Sequence, residues 1–169
     1  MIKKVPYLLA LLGMIGGVFI AIIFGVNEEF IQNKISVGLQ SNTKIMSIQD
    51  PAQKEAKLKS EQDKNWRYYQ RYHFHATGIG AMSLAALILL AFTSAPLLLT
   101  RTSAYMISVG GVLYPFVWLF AGIYGPSMGR NEAKEAFAIF GYMGGVFLVG
   151  LVLLFCMVAG YPLKFQKNE

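Results

Sequence analysis

The stretch Tyr68–Ser83, YYQRYHFHATGIGAMS, decides the fold, because a charged and aromatic segment passes there into a long apolar run. Both histidines of the chain, His73 and His75, lie in it. Small residues follow, among them Gly78 and Gly80. Small residues let membrane helices approach closely. We therefore expect helix contacts here and, if the chain holds a cofactor, its binding site.

Four windows of the 169-residue sequence contain no Asp, Glu, Lys or Arg. They are Val5–Val26, Tyr72–Thr100, Thr102–Gly129 and Ala136–Leu163. Each exceeds the roughly 20 apolar residues that cross the hydrocarbon layer as a helix. Charged residues make up only 14% of the chain, against roughly 25% in soluble domains. The sequence predicts an all-α integral membrane protein with one membrane domain, 1–169, built as a four-transmembrane-helix bundle.

The expected transmembrane helices TM1 to TM4 cover about 6–26, 72–95, 103–124 and 134–161, which leaves 27–71 outside the membrane. Asp50-Pro51 is a helix start, with Asp as N-cap and Pro in the first turn. No Gly or Pro occurs from Ala52 to Phe74, and Glu55–Lys59 and Glu61–Lys64 have the spacing of helical ion pairs. One helix is therefore predicted from Pro51 into TM2, so that the helix containing TM2 extends roughly 30 Å beyond the membrane.

Three further local patterns predict structure. Ile31, Ile35 and Leu39 recur at every fourth position, which indicates an amphipathic helix lying along the membrane interface. Pro115 near the middle of TM3 predicts a kink. Asn131 is the expected N-cap of the helix that follows the turn between TM3 and TM4.

Glycines indicate three packing faces. Gly13 and Gly17 form a GxxxG pattern in TM1, and Gly141 and Gly145 form another in TM4. Gly80 belongs to the small-residue face of TM2. This spacing lets two membrane helices come into close contact, so these five glycines are predicted helix-packing positions.

The two histidines are the candidate cofactor ligands, because a membrane-embedded histidine can ligate haem or hydrogen-bond a quinone. Residues two apart on a helix point about 200° apart, so His73 and His75 cannot both ligate one ion from this helix. A b-type haem on His75 would use Gly78 as a flat surface. Its second ligand would be Met128 in the turn between TM3 and TM4 or Met143 deeper in TM4, unless the site is five-coordinate or shared between subunits. The favoured interpretation is that both histidines are interfacial and hold no cofactor. No metal site is predicted.

Glu132 and Glu135 are expected on the same side of the membrane as the histidines. A His–Glu contact between TM2 and TM4 would then be a fragment of a proton relay. A structural salt bridge to Arg71 or Arg130 is the favoured alternative. No other catalytic pattern occurs in the chain, so an activity of its own is not expected.

These features favour an interaction role. The first hypothesis is that the chain is a small accessory or structural subunit of a larger membrane complex. The type of complex suggested is a respiratory or other electron-transfer complex. The second hypothesis is a redox subunit that binds b-type haem or quinone through His75 or His73. A transporter or channel ranks below both, because the predicted transmembrane spans carry no charged residue. Expected partners are lipid and other membrane subunits. The net charge of +6 reflects headgroup anchoring, and no nucleic acid is expected.

A bacterial inner membrane is the expected location. Lys3 and Lys4 precede TM1 and Glu28 and Glu29 follow it, which favours cytoplasmic termini. The overall count of Lys and Arg favours the opposite orientation, but most of those residues lie far along the 27–71 segment.

Overall fold

The computed structural model describes residues 3–164, and this part of the chain contains seven helices and no strand. The helices are α1 Lys4–Gln40, α2 Thr43–Met46, α3 Pro51–Phe92, α4 Leu97–Leu113, α5 Phe116–Met128, α6 Arg130–Ala136 and α7 Ala138–Gly160. Four helical segments are long and apolar enough to cross a membrane: α1, α3, α7 and the combined segment Leu97–Met128. The predicted all-helical class with four such helices is therefore confirmed.

The third helix begins where the sequence predicts. Asp50 caps it, and its carboxylate accepts hydrogen bonds from the backbone N–H of Ala52 and Gln53. The helix runs without interruption for 42 residues to Phe92. Residues 51–71 of α3, called the stalk below, precede the apolar part of the helix.

The first helix differs from its prediction, because it continues beyond residue 26 to Gln40 across a kink at Asn27. Asn27 leaves the helical conformation, with φ −154° and ψ 72°, and its side chain accepts from the N–H of Phe30 at 3.0 Å. It thus caps a second helical piece. The buried stripe Ile31, Ile35 and Leu39 of that piece packs with Tyr69 of α3, so the predicted amphipathic helix is confirmed and its apolar face contacts the protein; its place at the membrane interface stays a prediction.

The Pro115 kink is confirmed, since α4 ends at Leu113 and α5 begins at Phe116. The combined segment starts six residues before the predicted TM3 and ends four residues after it. The predicted Asn131 cap is wrong. Gly129, with φ +104°, precedes α6, and Asn131 lies inside its first turn. A second break at Phe137 separates α6 from α7.

Helix α1 packs mainly on α3, and α4 mainly on α7. The apolar core joins these two pairs and includes Leu87, Leu90 and Ile107, each 1% exposed or less. At the end of the core opposite the stalk, Leu163 forms an isolated bridge with Thr93. The segment that follows α7 is thereby tied to the end of α3.

The predicted packing glycines of TM1 and TM2, Gly13, Gly17 and Gly80, lie in the α1–α3 contact. A Cβ atom on Gly17 would overlap the Thr77 hydroxyl, and one on Gly80 would lie 2.9 Å from the backbone nitrogen of Met14. Gly13 is also buried there, 3.7 Å from the Ala76 carbonyl oxygen by the same measure. These helices approach closely only because side chains are absent at such positions.

The two TM4 glycines are placed differently. A Cβ on Gly141 would only touch Val117 at 3.9 Å, and one on Gly145 would meet no atom of the described chain within 4 Å. The close α4–α7 contact uses Gly110 instead, where a Cβ would lie 2.5 Å from the backbone nitrogen of Phe147. The glycine pattern of TM4 therefore does not face the helix on which α7 packs.

Candidate functional site

His75 lies on the side of α3 that faces the break between α4 and α5. Its Nδ1 is 2.8 Å from the carbonyl oxygen of Arg71. Its ring centroid is 5.5 Å from that of Tyr114, edge to face, and 5.8 Å from that of Trp118. The imidazole is partly buried among aromatic rings.

His73 faces α1 instead. Its Nδ1 is 2.8 Å from the carbonyl oxygen of Gly17, and its ring stands edge to face with Phe24 at 6.3 Å. The two histidines thus contact different helices, as the helical spacing requires. A carbonyl oxygen can only accept a hydrogen bond, so in both histidines Nδ1 carries the proton and donates the bond.

Gly78 and Met128 do not complete a site with His75. Gly78 is exposed, and a Cβ there would meet nothing within 4 Å. Gly125 of α5 lies against Asn65 of α3, which is ten residues, or about 15 Å of helix, before His75. Met128 lies still farther toward the stalk, so the predicted pairing of Met128 with His75 is wrong. Residues 3–164 hold no cluster of three His, Cys, Asp or Glu side chains that could bind a metal.

The polar side chains that the fold does bring together surround Glu61 in the middle of the stalk. Arg130 binds its carboxylate through Nε at 2.6 Å and Nη2 at 3.4 Å. Lys57 lies 3.2 Å and Lys64 3.7 Å from the same carboxylate. The Glu61 side chain is only 10% exposed. A single carboxylate thus joins α3 to the start of α6.

Electrostatics keep Glu61 ionised. Burial by itself raises the pKa of this carboxyl, but hydrogen bonds and charge from Arg130 and Lys57 outweigh burial and leave the pKa below its usual value. The same contact raises the pKa of Arg130. Both groups are therefore charged at neutral pH, and the pair acts as a fixed link between the two helices.

The loop after α1 forms the other side of the contact between α3 and α6. Asn42 caps α2 and donates from Nδ2 to the carbonyl oxygen of Pro126 at 3.0 Å. Lys44 pairs with Glu132, and this contact lowers the pKa of Glu132. A cavity of about 220 Å³ lies between these groups and Glu61. The loop is therefore anchored to both α5 and α6.

The predicted His–Glu contact is therefore wrong, because Glu132 pairs with Lys44 and neither histidine contacts an acid in residues 3–164. The alternative prediction, a salt bridge from these glutamates to Arg71 or Arg130, also named the wrong partners. Arg130 binds Glu61, and Arg71 lies over the ring of Trp118 at 4.9 Å. Of the two helical ion pairs predicted in the stalk, Glu61–Lys64 is present.

Sequence reasoning missed Glu61 as the centre of this cluster. A signal was present: the buried stripe of α3 continues upstream from Tyr72 and Tyr68 through Asn65 to Glu61 at helical spacing. A carboxylate on the buried stripe of a helix needs a partner. The partner itself comes from 69 residues farther along the chain.

Comparisons with protein-family models, characterised proteins and solved structures find no match to this chain. The class that the fold defines is a helical protein with four helices able to cross a membrane.

Proposed function

We propose that this chain is a small accessory subunit of a larger membrane complex. Its four apolar helices hold it in the membrane, and its stalk contacts partner subunits outside. The first part of the stalk, residues 51–60, carries the proposal. None of these ten residues is buried by the described chain, although Glu61 fixes the helix directly after them. Leu58 packs against the cluster that contains Ile31, Ile35 and Leu39, and the exposed polar and charged side chains of the rest of this segment form the surface that we expect a partner subunit to contact.

The outer face of α7 supports the same function. Gly145 faces away from the rest of the described chain, and Gly141 makes only one loose contact. The neighbouring Tyr142 is 71% exposed and Leu148 is 59% exposed. A small-residue face of this kind suits close contact with a helix of another subunit.

We propose a bacterial inner membrane with cytoplasmic termini. Lys3, Lys4, Arg101 and Lys164 flank the helix ends opposite the stalk. Basic residues in short segments beside the membrane favour the cytoplasmic side. The stalk then lies on the other side, where its partners would be found.

Native mass spectrometry of the chain extracted from its own membranes in mild detergent tests the proposal. We expect an assembly of defined mass with other membrane proteins. Reversing the charge of the exposed stalk residue with Lys59→Glu should reduce the assembled fraction. Lys34→Glu, the same change at an exposed position of α1, is the matched control. A lone chain under conditions that preserve other membrane complexes would contradict the proposal.

A second candidate function is a redox subunit of an electron-transfer complex that binds b-type haem or quinone. The specific observation in its favour is that backbone carbonyls accept from Nδ1 of both His75 and His73, because such a bond orients a histidine whose Nε2 ligates a metal. A reduced-minus-oxidised spectrum and quinone analysis of the purified complex test it. Loss of a haem band or of quinone in His75→Ala, but not in His73→Ala, would assign the ligand. Absence of both from the wild type would exclude this function.

A further inference from the structure

We propose that a cavity at the end of the bundle opposite the stalk binds the phosphate of an anionic phospholipid. The cavity, called the terminal cavity below, has a volume of about 260 Å³. It lies between the start of α1, the end of α3, the start of α4 and the segment after α7. Its lining residues are Tyr7, Leu90, Ala91, Thr93, Ala95, Leu97, Thr100 and Lys164. This site is independent of the accessory function proposed above.

Backbone contacts hold Lys164 at the terminal cavity. The N–H of Ser94 donates to the carbonyl of Pro162 at 3.0 Å, and the N–H of Lys164 donates to the carbonyl of Phe92 at 2.8 Å. The Lys164 ammonium makes one long hydrogen bond, 3.4 Å to the Ala91 carbonyl oxygen. An ammonium carries three donors, so this cation retains capacity to bind an anion.

The charge at this end of the molecule is unbalanced. Lys3, Lys4, Arg101 and Lys164 lie here, and none of them forms an ion pair within the described chain. The acidic side chains of residues 3–164 lie between the α1 kink and the end of the stalk, or in α6: Glu28, Glu29, Asp50, Glu55, Glu61, Asp63, Glu132 and Glu135. Cations without a carboxylate partner favour an external anion.

The residues that line the terminal cavity include no acidic side chain. Proline at position 96 precedes α4, no side chain caps this helix, and no acid lies in its first turn. Its first N–H groups therefore add partial positive charge beside Leu97. Thr100 and Thr93 already donate their hydroxyl hydrogens to backbone carbonyls, so the donors left for an anion are the Lys164 ammonium and the first N–H groups of α4. The ligand that fits is an anion with acceptor oxygens, such as a phosphate diester.

A lipid fits better than free phosphate because the rest of the lining is apolar. Leu90, Leu97 and the ring of Tyr7 form that part. Leu8 and Leu98, next to two of these lining residues in sequence, are 61% and 77% exposed. Acyl chains can cover such side chains while the phosphate contacts Lys164.

Lipid titrations followed by native mass spectrometry test the site on the full chain in detergent. The probes are phosphatidylglycerol and phosphatidylcholine with identical acyl chains. We expect tighter binding of phosphatidylglycerol and a loss of about fivefold in its affinity in Lys164→Gln, as for one basic residue near an anionic lipid surface. Lys164→Arg should retain the affinity. Lys134→Gln, in α6 at the stalk end, is the matched control and should also retain it.

Three outcomes would overturn the proposal. The first is equal affinity for the two lipids. The second is an equal loss in Lys164→Gln and Lys134→Gln, which would indicate unspecific attraction. The third is thermal stabilisation by inorganic phosphate alone that matches the effect of phosphatidylglycerol, which would replace the lipid with a free anion.

Discussion

Replacing Glu61 with glutamine should loosen the stalk. The side chain is 10% exposed, and its carboxylate contacts one guanidinium and two ammonium groups. Removing one partner of a fully buried ion pair costs about 3–5 kcal/mol, whereas an exposed pair contributes about 0–1 kcal/mol. Because the Arg130 side chain is 30% exposed, we expect an intermediate cost of about 2 kcal/mol for the contacts that Glu61 makes.

Hydrogen exchange measured by mass spectrometry is the appropriate assay. Local opening exposes stalk amides to exchange, and 1.36 kcal/mol corresponds to a factor of ten. Peptides from 61–71 should therefore exchange about 30-fold faster in Glu61→Gln. The matched control is Glu55→Gln, the same change on the same helix, at an exposed residue that forms no ion pair in the described chain.

A double-mutant cycle with Arg130→Gln isolates the pair itself. Residues in one salt-bridge network show coupling energies of about 0.5–3 kcal/mol, and we expect about 1 kcal/mol or more here. A change of less than about twofold in exchange for Glu61→Gln, together with additive effects in the cycle, would refute the argument that this pair fixes the stalk.

Three further predictions concern the same junction and the helix contacts. Because the pKa of Glu61 lies below its ordinary value of 4.5, its contribution to stability should be complete above pH 4.5 and fall as the pH drops through the folded-state pKa; thermal unfolding across pH 3–7 should show a larger loss at acid pH in the wild type than in Glu61→Gln, where Glu132, whose pKa is also lowered, remains. Asn42→Ala removes both a helix cap and a hydrogen bond to α5, so unfolding should become easier by about 1–2 kcal/mol, with faster exchange confined to 41–49. Gly110→Ala should cost about 1–3 kcal/mol because the added methyl meets the backbone of Phe147, whereas Gly145→Ala should leave thermal unfolding of the isolated chain unchanged.

Local signals predicted much of the fold. Asp50-Pro51 starts a helix through its own capping chemistry, and the structure begins α3 there. Pro115 breaks a helix through its missing N–H, and the structure divides α4 from α5 there. Both pieces of α1 were predicted, as TM1 and as the amphipathic helix of Ile31, Ile35 and Leu39, but their junction was not: Asn27 joins them as a kink and caps the second piece with its side chain.

The candidate site was predicted less well, because its members lie far apart in sequence. The split of His73 and His75 follows from helical spacing alone, but the carbonyls and rings around each histidine come from α1, α4 and α5. Glu132 was expected near a histidine, yet the register of α5 along α3 places it beside Lys44. No local pattern specifies that register.

The sequence by itself determined the four apolar helices, since membrane-length windows without charge are a property of each segment taken alone. Only the tertiary structure decided which glycines lie in helix contacts, which cation pairs with Glu61, and that the second piece of α1 packs on the stalk. The physical reason is that a segment's hydrophobicity and capping depend on neighbours along the chain. Ion pairs and close helix contacts depend on the rotation and register with which distant helices pack.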